Sequence, residues 1–188
     1  LVAAAGVEAA PKPRNVLILP FATVDLAREE QWIGEGVAQS LMLALVHVPG
    51  LVQIDRDRLR QLPQPEAWDE TATLAAAKRL GADIALFGEV KRTGSDLILQ
   101  PRFVEVRGDK VERGALDTVA IAEGQLLDRL RPLPAGYLKA LRASASDVEL
   151  ARVQKWAAPT GQLRAYELYV RGRRAAYRAT QDGSEAAV

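Results

Sequence analysis

Four charged residues in a row, Asp55-Arg56-Asp57-Arg58, follow directly on the short apolar run Leu51-Val52-Gln53-Ile54. In open parallel sheets ligands bind at the carboxyl ends of strands, which is where this quartet falls. Phe21 and Glu89, each near the end of another apolar run, would reach the same sheet edge and make Phe21, Asp55, Arg56 and Glu89 a candidate ligand or partner edge. Asp55 and Glu89 as acid and base would suit a hydrolase, provided a closed pocket displaced the pKa of one of them. Alternating charges also make a solvated surface that pairs with itself.

Other chemistries find weaker footing. The single histidine, His47, has no Gly-x-Ser-x-Gly elbow to serve, and a place in the last turn of a helix explains it through the helix dipole. Gly34-Glu35-Gly36 opens like a dinucleotide fingerprint, but Gln39 stands at the third glycine position and no strand leads directly into it. Close helix packing is the reading these glycines support. Gly88 to Gly94 has the wrong spacing for a phosphate loop and reads as a hairpin. Arg171, Arg173, Arg174 and Arg178 form a basic stripe without a stacking platform of aromatics, as a solvated helix face would.

Composition narrows the field further. The 188 residues are 48% hydrophobic and 26% charged, enough to bury a core unaided, and the formal charge of +1 provides no global field for nucleic acid. The absence of Cys removes disulfides, thiolate metal sites and a Cys nucleophile, and one His removes any site needing two imidazoles. No catalytic residue, cofactor or metal is therefore assigned. The longest apolar runs, such as Leu41 to Val46, are far short of the roughly 20 residues that span a bilayer. Residues 1–13 read as a leader whose small apolar residues suit the tail of a secretion signal, the end of an anchor or a flexible start.

The elements that must position these residues follow from periodicity. Val16-Leu17-Ile18-Leu19 is continuously apolar, as in a strand buried on both faces, and Ile33, Val37, Leu41, Leu45 and Val48 recur at helical spacing until Pro49-Gly50. A second strand at Leu51–Ile54, a short helix at 58–62, a helix over 70–80 closed by Gly81 and a third strand at 84–90 come next. Thr93-Gly94-Ser95 is too short for a helix, so strand four (97–106) is antiparallel, with strand five at 111–121. Pro101 lacks a ladder donor, which predicts an edge or bulge. The reading is an α/β fold with a mixed five-stranded sheet, β-α-β-α-β-β-β, flanked by helices. Residues 125–142 are helical in two pieces, broken by Pro132 and Pro134. Residues 143–160 form a partly helical connector, and 161–188 a helical segment with a second helix beginning at Ser184.

The blocks Val16 to Phe21, Trp32 to Ala38, Pro49 to Ile54 and Leu80 to Gly88 resemble, in order and spacing, the TolB N-terminal-like family. Pro159-Thr160 and Ala165 to Arg173 resemble the connector and first helix of tetratricopeptide repeats. Family members often carry a Trp in the fifth strand, where this chain has Val111 to Leu116. The resemblance implies an α/β domain over 14–142, shaped like curli-secretion-type and penicillin-binding-protein-activator lipoproteins of the bacterial envelope, and no catalytic residues. It also implies a periplasmic or extracytoplasmic scaffold that binds protein partners or its own copies, a cytoplasmic location being the alternative. Leu168, Gly172 and Ala176 are the expected docking face of the first repeat helix, Gly172 allowing a close helix approach. Because hard oxygen ligands alone hold zinc and copper poorly, chelator-free protein is expected to retain neither after dialysis, which elemental analysis checks.

Overall fold

Alternate residues of the first strand, β1 (Arg14–Ile18), face two separate cores. Val16 and Ile18 join one apolar cluster, and Leu17 and Leu19 the other. A strand buried on both faces needs a cover on each, and the helices supply them. The computed structural model describes residues 12–185, with side chains as far as 176. The leader reading for residues 1–11 and the last residues of the expected second helix lie outside the described residues.

After β1 the chain forms β2 (Ala22–Val24), α1 (Trp32–Leu45), β3 (Leu51–Gln53), α2 (Arg56–Arg60), α3 (Glu70–Leu80), β4 (Ile84–Thr93) and β5 (Asp96–Arg107). It continues through β6 (Lys110–Ala115), β7 (Val119–Ile121), α4 (Leu126–Leu130), α5 (Leu133–Ala140), α6 (Asp147–Ala157) and α7 (Leu163–Glu185). The sheet runs β3-β1-β4-β5-β6, with β2 on β4 and β7 on β5. β1 is parallel to β3 and β4, and β4, β5 and β6 are antiparallel in turn. The expected mixed α/β sheet is present, with seven strands in place of five.

Two local causes account for the extra strands. Beyond Pro20 and Phe21 the chain returns to the sheet, and Ala22 to Val24 pair with Glu89 to Lys91. The expected fifth strand is split, because Pro101 on β5 has no N–H to offer. Its carbonyl accepts from the Leu116 amide at 3.0 Å, so the Pro nitrogen, on the same edge, faces the same neighbour. The ladder stops there, the chain steps out at 116–118, and β7 rejoins opposite Leu97 to Leu99. Of the edge or bulge expected at Pro101, the edge is not found: β5 is an interior strand, and its proline is tolerated because the partner strand is broken opposite it.

Helices α2 and α3 cover one face through Leu59, Ala76, Ala77 and Leu80. Asp69 caps α3 by accepting the Ala72 amide, and Gly81 ends it at φ +69°. The other face is covered by α1 and α5. Tyr137 of α5, fully buried, shares its one hydroxyl proton between the carbonyls of Phe87 and Arg102, tying the helix across β4 and β5. Burial pushes its phenol pKa well up.

A further helical layer lies on α1. The 143–160 stretch carries α6, begun by a capping box of Ser146 and Glu149, whose carboxyl is held below its usual range by hydrogen bonds from the Ser146 amide and hydroxyl. Ser40 of α1 donates to the Ala157 carbonyl at 2.6 Å. Helix α7 docks Tyr166 and Val170 on the same core, with the Tyr166 hydroxyl 2.8 Å from the Gly36 carbonyl. It runs unbroken through Ser184 to Glu185, where the sequence suggested a second helix, since the Asp182-Gly183 pair does not stop it.

Gly34 and Gly36 test the packing reading of that motif. A Cβ at Gly34 would lie 2.1 Å from the Phe21 carbonyl oxygen, whereas one at Gly36 would lie 3.1 Å from the Trp32 ring, a side chain and not backbone. Gly34→Ala is expected to cost about 3 kcal/mol, as overpacking against backbone does. Gly36→Ala should cost well under half of that, because the helix propensity gained, about 1 kcal/mol, offsets part of the crowding. Denaturant unfolding midpoints of the two variants check this.

Candidate functional site

The parallel strands β3, β1 and β4 end toward one rim, and the four residues proposed for that rim are all near it. The side chains of Phe21, Asp55 and Arg56, however, are engaged in holding the fold. Phe21 is 3% exposed; its amide donates to the Gly34 carbonyl at 3.1 Å, and its ring fills the space that a Cβ on Gly88 would need. Asp55 caps α2, its carboxylate accepting the Asp57 amide at 2.8 Å. Arg56 is ion-paired with Glu35 of α1, both side chains mostly buried. Glu89, half-buried on β4, has β2 on one side and β5 on the other.

Asp55 follows β3 and Glu89 sits on β4, with β1 between them. Gln53 is level with Val16 and Ile84, so the two backbones are separated by two strand spacings across the sheet, roughly 10 Å, and by a further offset of similar size along it. None of the three described cavities is lined by Phe21, Asp55, Arg56 or Glu89. Glu35, the partner of Arg56, was not foreseen from the sequence; it lies one turn into α1, and its proximity to the end of β3 is a matter of tertiary packing. His47 falls in the turn just past α1, with its ring 5.3 Å from Trp156.

On α7 the buried stripe is Tyr166 and Val170, while Leu168, Gly172 and Ala176 are exposed at i, i+4 and i+8. A Cβ at Gly172 would meet nothing within 4 Å among the described residues. Part of the basic stripe is committed: Arg171 pairs with Glu167 and donates to the Glu29 carbonyl.

A different surface has the shape of a binding site. Where the chain steps from β6 to β7, an open groove of about 660 Å³ runs between that sheet edge and α5. Its apolar lining includes Leu116, Val119, Leu133 and Gly136, and Arg129, Lys139 and Asp117 are its charged members. Leu116 packs closely on Gly136 there: its Cδ1 lies 3.3 Å from where a Cβ on Gly136 would be. The sequence held one signal for this. A glycine inside a short helix costs about 1 kcal/mol against Ala, and neither a cap nor a turn explains Gly136.

No family model matches the chain, and no curated protein matches it. Among solved structures it is similar to the C-terminal domain of LpoB from Salmonella enterica, at 16% identity over 62% of this chain and 87% of that one, with a TM-score of 0.41. Lipoprotein GNA1162 from Neisseria meningitidis gives 18% identity, 71% and 100% coverage and a TM-score of 0.44. TolB from Acinetobacter baumannii gives 12% identity over 74% of this chain and 31% of that one, with a TM-score of 0.47.

The capping role of Asp55 and the pairing of Arg56 set the expected mutational pattern. Asp55→Asn and Glu89→Gln should each stay within about 0.5 kcal/mol of the parent, since Asn caps as well as Asp. Asp55→Ala should cost about 1 kcal/mol through the lost cap. Arg56→Ala leaves Glu35 without its partner and should cost roughly 2 kcal/mol, between the limits for exposed and buried pairs. Chemical denaturation of the four variants checks the order.

Proposed function

We propose that this chain is a non-catalytic binding module of the bacterial cell envelope that engages a protein partner at the groove between the β6–β7 edge and α5. The observation that carries this reading is the groove itself: apolar, open, flanked by a sheet edge and charged at its rim. Such surfaces suit protein segments, which bring both apolar side chains and backbone hydrogen-bonding groups. An acid–base pair working on a small substrate needs instead a site that excludes water and shifts a pKa. Asp55 and Arg56 are occupied in capping α2 and pairing with Glu35, which further favours binding over hydrolysis.

The exposed stripe of Leu168, Gly172 and Ala176 on α7 is read as a second docking face, leading into helical repeats. Placement in the envelope, and periplasmic in particular, rests on the sequence resemblance to the TolB N-terminal-like family. Among the described residues no helix is long and apolar enough to cross a membrane.

A photo-crosslinking residue at position 139, introduced into the protein in its source organism, is expected to give one discrete protein adduct. Gly136→Leu, which fills the groove, should remove that adduct. A crosslinker at position 55 should give none. An adduct from 55 and none from 139 would move the working surface to the strand ends and overturn the reading.

A further inference from the structure

Among the described residues β6 ends the sheet: one edge is hydrogen-bonded to β5 over Arg102 to Arg107, and no further strand follows in the sheet order. An edge of this kind presents alternate N–H and C=O groups to any extended chain laid beside it. Lys110, Glu112 and Arg113 are exposed along it. They weigh against a second copy as the occupant. Antiparallel self-pairing about the middle of β6 sets Glu112 opposite Glu112 or Arg113 opposite Arg113, and like charges directly opposite destabilise a strand pair.

The end of β6 leads directly into the groove. Leu116 and Val119 line it from the strand side, and Leu133 and Gly136 from α5. Its cations outnumber its carboxylates, with Arg129 and Lys139 set against Asp117. Among the described residues neither cation is in an ion pair; Arg129 only reaches the Gln125 side chain, at 3.4 Å. An occupant that complements this surface is extended, carries an apolar side chain at the groove and brings negative charge beside it.

Resting on the groove as the docking site, we propose that an extended acidic segment of a partner protein adds as a strand to β6, seats an apolar side chain against Leu116 and Gly136, and sets carboxylates at Arg129 and Lys139. The strand supplies register, the apolar contact supplies most of the affinity, and the cations select the sign of the charge. The interaction weakens as salt screens the exposed pairs.

The test uses the full chain and a labelled, end-capped peptide, Ser-Glu-Ser-Val-Ser-Glu-Ser, whose Val and two Glu fall on one face of an extended strand, in fluorescence anisotropy at low ionic strength. Comparators are the same peptide with Lys for each Glu, and the acidic peptide N-methylated on alternate amides, in both phases. The acidic peptide is expected to bind at least tenfold tighter than the lysine peptide. One N-methylated phase should lose binding and the other keep it. Arg129→Glu with Lys139→Glu should reverse the charge preference, and Gly136→Leu should abolish binding while its thermal midpoint shows that it folds.

Equal binding of the acidic and lysine peptides, or binding retained by Gly136→Leu, would overturn the proposal. Indifference to both N-methylated phases would overturn strand addition. Dimerisation of the chain in sedimentation, lost in Gly136→Leu, would make a second copy the occupant and overturn the acidic segment. Should every peptide fail while the position-139 adduct survives, the chemistry assigned to the segment is wrong and the groove stands. Loss of the adduct as well removes the docking site itself.

Discussion

Phe21 sits where three elements meet, and their spacing depends on it. It leaves β1, hydrogen-bonds the first turn of α1 through the Gly34 carbonyl and lays its ring across Gly88 in β4. Both contacts require glycine on the other side. A Cβ on Gly34 would lie 2.1 Å from the Phe21 oxygen, and one on Gly88 would lie 2.5 Å from its ring. The close approach sets the depth at which α1 lies on the sheet, and α1 in turn carries α6 and α7 through Ser40 and the Gly36 carbonyl. A residue that looked available to a ligand when read along the chain is the wedge that orders the helical layer.

What the sequence made legible was whatever depends on local period and punctuation. The apolar run at Val16 to Leu19, the helical spacing from Ile33, Gly81 as a stop and the Thr93 turn all describe interactions within a few residues, and these elements are present, although α1 ends at Leu45, short of the expected Val48. Pro101 marked an edge or bulge, and the edge is not found because β5 lies inside the sheet. Its missing donor is absorbed by the break between β6 and β7, a feature of the neighbouring strand that no pattern within 97–106 encodes.

The charged residues were harder for the same reason. Asp55 and Arg56 follow a strand, as ligand-binding residues do, yet whether they are available depends on α2 and on Glu35, which is 21 positions away from Arg56. The groove is assembled from residues 115–119 and 129–140, segments that share no motif. Only Gly136 marked it in advance, as a helix-interior glycine without a local reason.

Function on this account is placed by interruption: Pro101 breaks the strand beside it, the break opens a groove, and Gly136 lets Leu116 pack closely against α5 in it. The most direct measurement is hydrogen exchange on the full chain alone and with the partner recovered from its source organism. The account predicts slowed exchange over residues 110–120 and 133–140, with no change over 51–60. Protection concentrated at 51–60 and around Glu89, with the groove unchanged, would contradict it and return the working surface to the ends of the parallel strands.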